Sequence, residues 1–214
     1  MRRTILPLIF LIPAIGVAAL YIAVKSRAKR GLLPKPDEQS VPTRVIRYTP
    51  PATLPDENGE GDCWTNSIAA PYRADAWRCM AGNSIHDPCF TVAKPDAVIC
   101  GMNPSNGGAG FVLKLTKPLP EPPRAGKQPP AWGWLIQLAD GSDCRPFTGT
   151  RPFIDENPVN YGCSPQKEGS ANVLIGDLND KAAVWTARKA VLSQSDHSLI
   201  IESSEQVPIV AIWQ

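Results

Sequence analysis

Histidine is scarce: the 214-residue chain has two, His86 and His197. An imidazole base works only within hydrogen-bond reach of the group it activates, so the chain can hold few centres of that kind. No G-x-S-x-G elbow occurs, since "GNSIHD" lacks the second glycine. A C-G-S-C-W thiol pattern is also missing, as are the paired C-x(2–4)-C or H-x(3–5)-H elements of zinc sites. His86 and Cys89 form an H-x-x-C with Cys79 further upstream, a spacing that fits no zinc class. No metal and no other cofactor is expected.

A charge excess is lacking as well. Residues 63–214 carry 13 Lys/Arg against 14 Asp/Glu, and the basic surplus of 9 against 6 sits in residues 1–62. Nucleic-acid binding rests on a clustered basic face that neutralises phosphates, so a nucleic-acid partner is excluded. Cysteine is missing before Cys63, which leaves no lipoprotein anchor behind the N-terminal apolar run. No internal repeat is found.

Proline is abundant instead, with 23 residues, about twice the usual share of roughly 5%. Proline removes a donor and clashes with the preceding turn, so long helices are excluded outside one segment. That segment is "ILPLIFLIPAIGVAALYIAV", residues 5–24, which has no charge. About 20 apolar residues span a bilayer's hydrocarbon core, and Pro13 and Gly16 are tolerated there. A transmembrane helix is expected over residues 5–24, within a membrane anchor at 1–30. A cleaved signal peptide is the alternative, with "VAA" at Val17–Ala19 as a small-residue cleavage site.

Arg2 and Arg3 precede this segment, and Lys25, Arg27, Lys29 and Arg30 follow it. The positive-inside rule therefore leans toward a cytoplasmic body. The cysteines point the other way: all six lie between Cys63 and Cys163, and disulfides persist in oxidising compartments. An even set of cysteines outweighs a difference of about one charge, and the body is expected outside the cytoplasm.

Residues 31–62 contain six prolines and end in a Gly/Asp/Glu/Asn cluster, which predicts an extended tether. Residues 63–214 contain all six tryptophans and predict an extracytoplasmic β domain, a small disulfide-stabilised sandwich or barrel. "YRADAWRCMAG" follows Pro71 and ends at Gly82-Asn83, which predicts one short helix with a glycine stop. Period-two apolar runs predict strands at 96–100, 111–117, 132–138, 159–163, 172–176, 183–192, 198–203 and 207–214. Asp140-Gly141 marks a hairpin. The glycine loop at 103–110 and the proline-rich excursion at 117–130 interrupt the pattern.

The candidate chemistry is thin. His86 with Asp87 or Asp75 is the one arrangement that could serve a hydrolase, although Asp87-Pro88 also reads as a turn. Asp155 and Glu156 are adjacent and read as solvated turn residues. Trp132 and Trp134 flank a glycine; residues i and i+2 share a strand face, so their indoles could form a stacking platform for sugars or peptides, or fill a core. Cys63, Cys79, Cys89, Cys100, Cys144 and Cys163 allow fifteen connectivities, of which nearest-neighbour pairing closes the shortest loops.

"CWTNSIAAPYRADAWRCMAGNSIHDPCF", followed by "LADGSDCRPFTG", "VNYGC" and "VWTARKAVL", resembles a set of exported bacterial proteins. These share a C-W…(D/N)AWRC…GN-I-DPCF…C pattern and a terminal aromatic after a β-run. The resemblance spans about residues 63–214 and is most specific in its first block. It implies an extracytoplasmic, disulfide-bearing domain on a membrane anchor or export signal, and it brings no catalytic residue. The expected function is a non-enzymatic binding or accessory module of the cell envelope, with a protein or glycan partner. A hydrolase using His86 and a structural subunit of a membrane complex are the alternatives.

Overall fold

The computed structural model describes residues 41–121, 126–129, 131–195 and 198–214. The expected membrane segment at 5–24, residues 31–40 of the expected tether and His197 lie outside them. Among the described residues no helix is long and apolar enough to cross a membrane, and every regular element is a strand.

After a short first strand, β1 (Arg44–Ile46), five strands form a meander that closes on itself. These are β2 (Glu57–Asn66), β3 (Ala76–Ala81), β4 (Ser84–Thr91), β5 (Ala97–Cys100) and β6 (Phe111–Leu115). Neighbours run antiparallel, and β6 closes the barrel by pairing parallel with β2. A second closed barrel follows from β7 (Leu135–Leu138), β8 (Asp143–Pro146), β10 (Asn157–Lys167), β11 (Ser170–Asn179), β12 (Thr186–Ser195) and β13 (Ser198–Trp213). The last strand returns to β7 to complete it. β9 (Phe153–Ile154) folds back on β10, and β1 lies parallel to the end of β13, Arg44 opposite Ala211.

Side-chain alternation builds four clusters of core, three of which fill and join the barrels. Trp77, Val98, Leu113 and four cysteines fill the first barrel; Ile136, Leu138, Tyr161, Leu174, Ile209 and Ile212 fill the second. Phe90, Ile99, Met102, Trp134, Leu135 and Trp213 pack between the barrels. β5 explains the continuous apolar run "AVIC": Val98 points into its own barrel and Ile99 into the junction, so the strand is buried on both faces. Each large side chain buried in this way contributes roughly 1.5–3 kcal/mol.

Four expectations are corrected. The short helix is strand β3, with Trp77 and Cys79 inward and Arg78 and Met80 outward. Its glycine stop is a hairpin turn: Ala81 pairs with Ser84, and Gly82 has φ +57°, as a two-residue turn with glycine first requires. Ala, Arg and Met favour helix locally, but pairing on both sides overrides that weak preference. The expected tether, in its described part, contains β1 and the polar start of β2. β2 shows no apolar period because its outer charges face Lys94, Lys114 and Lys117 through Glu57, Glu60 and Asp62. The runs at 198–203 and 207–214 are one strand, β13, because β12 pairs with it from Ser198 to Pro208 across a single irregularity between Ile201 and Ser203.

Trp132 and Trp134 do not share a strand face. β7 begins only at Leu135, and Gly133 packs so closely that a Cβ would lie 2.3 Å from Ile212 Cγ2 and 2.8 Å from the Trp213 carbonyl oxygen. The backbone N–H of Trp134 donates to that same carbonyl at 2.9 Å. Gly133→Ala is therefore expected to cost about 1–3 kcal/mol by overpacking, read as a lower urea midpoint at unchanged slope. An unchanged midpoint would show that β13 can move aside.

Candidate functional site

Asp87 begins as an ordinary strand residue next to a proline and ends as a hub. Its carboxylate side chain is 3% exposed and forms an ion pair with Arg78 at 2.9 Å. It also accepts hydrogen bonds from the Ser67 hydroxyl, Ile68 N–H (3.1 Å) and Ala69 N–H (3.3 Å). Ser67 in turn accepts from Ala70 N–H. Four donors on one carboxylate hold the segment after β2 in place, and the Asp87-Pro88 peptide is cis. Arg78 reaches further and donates to the Thr148 carbonyl at 3.2 Å in the second barrel.

Asp75 has a different partner. Its carboxylate takes both forks of Arg73, with Nε to Oδ1 at 2.8 Å. Arg73 is 7% exposed and also donates to the carbonyls of Tyr48 and Gln214. Burial pushes the Asp75 carboxyl upward, but the Arg73 hydrogen bonds and charge outweigh it and hold it below the ordinary value. Arg145 completes a set of three arginine clamps between the barrels, donating to the Met102 carbonyl at 2.6 Å. Burial lowers its pKa, and the charge of Asp143 opposes that shift.

His86 stands apart from both aspartates' partners. Its ring lies edge-on to Phe111 at 5.0 Å, and partial burial lowers its pKa. Adjacent strand residues point to opposite faces, so Asp87 turns toward Arg78 while His86 turns away. Among the described residues His86 has no hydrogen bond or ion pair from its ring. The arrangement supplies neither an oriented imidazole nor a nucleophile beside it. Asp155 and Glu156 are the two central residues of the β9–β10 turn, with φ +49° and +64°, and both are exposed.

The cysteines form three bridges, Cys63–Cys79, Cys89–Cys100 and Cys144–Cys163, each between residues directly opposite on paired strands. The sulfurs of Cys79, Cys89 and Cys100 lie within 4.8 Å of one another. All are tied in disulfides, so this cluster offers no thiolate to a metal.

Open space collects elsewhere, where the barrels meet. A cleft of about 570 Å³ is lined by residues of the 65–72 segment, by Trp132 and by the β8–β9 connection at 147–151. Tyr72, Trp132 and Phe147 supply its aromatic surface, and Asn66 and Arg151 its amide and charge. Trp132 is held by its indole N–H on the Ala69 carbonyl at 3.3 Å and by ring contacts to Tyr72 and Tyr161. Trp134 is buried, with Tyr48 and Phe90 around it; it supports the cleft without lining it. On the other side of the 147–149 ridge a second hollow of about 520 Å³ is lined by Asn103, Asp143, Arg145 and the start of the ridge.

Sequence reasoning singles out Trp132 in this cleft but passes over Asn66, Tyr72, Phe147 and Arg151. One signal was there: "RPF" occurs twice within "CRPFTGTRPF", at 145–147 and 151–153. No protein-family model, no curated protein and no solved structure matches the chain.

Proposed function

We propose that this chain is a non-enzymatic binding module of the bacterial envelope, held outside the cytoplasm by its N-terminal segment. It engages a partner through the cleft at the barrel junction. The cleft carries this reading: it combines aromatic faces, an amide and a charged fork in a volume typical of ligand sites. Three disulfides suit an oxidising compartment, and the apolar run at 5–24 suits either an anchor or an export signal. A hydrolase centred on His86 is the weaker reading, because its ring rests on Phe111 and both candidate aspartates are committed to arginines.

The test uses the full chain in mild detergent, mixed with detergent-washed cell-wall material and with envelope protein extract. The wild type is expected to be retained by one of these fractions. Trp132→Ala should weaken retention about tenfold, as truncating an aromatic anchor at a binding face does. Retention by no fraction, or equal retention of Trp132→Ala with an unchanged melting temperature, would overturn the reading.

A further inference from the structure

Resting on the cleft as the binding face, we infer that its ligand is a carboxylate-bearing saccharide that runs along the barrel junction.

Arg151 spends one bond inside the protein, from Nη1 to Asn160 Oδ1 at 3.1 Å. That bond orients the guanidinium, while Nε and Nη2 have no partner among the described residues. A planar fork fixed at one corner suits a carboxylate, which it can grip with two parallel charge-assisted bonds. Among the described residues no carboxylate lines the cleft, so none of them competes there for Arg151 or repels an anion. Asp87 lies just beneath, but its oxygens are filled by Ser67, two backbone amides and Arg78.

The uncharged groups point to a sugar. The Asn66 carbonyl accepts from the Thr65 hydroxyl at 3.3 Å, which leaves the amide hydrogens without a partner among the described residues, ready for a ring or hydroxyl oxygen. Tyr72, Trp132 and Phe147 line the cleft, and the negative quadrupole of an aromatic face attracts the positive C–H edges of a pyranose. The second hollow adds length, because both hollows share Phe147, Thr148 and Gly149. Thr148 is held from below by Arg78. On the far side the hollow is lined by Asn103, Asp143 and Arg145, where Asn103 already donates to Asp143 and Arg145 to the Met102 carbonyl, so the contacts an oligosaccharide gains over a single sugar lie along the 147–149 ridge itself.

The experiment titrates the full chain in detergent with four probes: a uronic-acid tetrasaccharide, its methyl ester, the monomeric uronate, and a decaproline peptide. The acid should bind, with the ester about tenfold weaker and the monomeric uronate weaker still. Arg151→Gln should erase the preference of acid over ester at an unchanged melting temperature, while Trp132→Ala weakens both saccharides. Equal binding of acid and ester would overturn the inference, as would binding of decaproline alone. If no probe binds but a cell-envelope fraction still retains the wild type through Trp132, the saccharide is wrong and the cleft reading stands. If neither occurs, both fail together.

Discussion

Asp87→Ala is expected to destabilise the protein by about 3–5 kcal/mol, the cost of breaking a buried ion pair by removing one partner. The carboxylate is 3% exposed and Arg78 15%, so solvent cannot replace the lost charge. Ser67 and the amides of Ile68 and Ala69 lose their acceptor in the same step. The loss appears as a drop in melting temperature of about 6–20 °C, given roughly 2–4 °C per kcal/mol for a domain of this size. Asp87→Asn keeps an acceptor oxygen and should fall between wild type and alanine. His86→Ala, which loses only a half-exposed ring contact with Phe111, should change stability by less than about 1 kcal/mol. This pair of substitutions separates a buttress from a reactive centre. A stable Asp87→Ala protein alongside a His86→Ala protein that has lost its biological effect would restore the hydrolase.

The second large effect concerns the bridges. Replacing Cys89 and Cys100 together by alanine is expected to cost about 3 kcal/mol, since the bridge closes a loop between residues 11 apart in sequence. The packing loss adds to this, because both sulfurs sit in the centre of the first barrel. The two members lie on adjacent strands β4 and β5 and are opposite each other in register, so the double variant keeps the pairing but lets the unfolded chain explore more states. Chemical denaturation with and without a reducing agent reads the effect directly. Among the described residues there is no free cysteine, and native protein should therefore give no reaction with a thiol reagent until it unfolds. Six reactive thiols in the native protein would remove the staples from the account.

Much of the architecture was legible from local pattern. Apolar runs such as "FVLKL" mark strands, and "DG" at Asp140-Gly141 marks a turn whose glycine has φ +85°. Elements with weak or misleading local signals were not legible. β3 is built from residues that favour helix. β1 is three residues long and exists only through β13. β2 carries its charges outward beside lysines from other strands. In each case the pairing partner, distant in sequence, supplies what the local residues lack.

The candidate site divides the same way. Trp132 could be picked out as a large aromatic beside a glycine. Its neighbours could not, because Tyr72 and Phe147 are 60 and 15 residues away from it in the chain and meet only when the two barrels pack. The roles of Asp75 and Asp87 were equally hidden. A carboxylate's chemistry depends on its donors: Arg78 meets Asp87 across the paired strands β3 and β4, while Arg73 grips Asp75 two residues on and is itself fixed by the carbonyls of Tyr48 and Gln214.

The amino-acid sequence by itself determined the β character, the cysteine set and the scarcity of histidine. Those follow from composition and from period-two alternation, which need no distant partner. Only the tertiary structure decided that there are two closed barrels, that the aspartates near His86 serve as clamps, and that a cleft opens at the junction. Closure depends on β6 returning to β2 and β13 to β7. Those pairings are set by the packing of both barrels together and by no local run of residues.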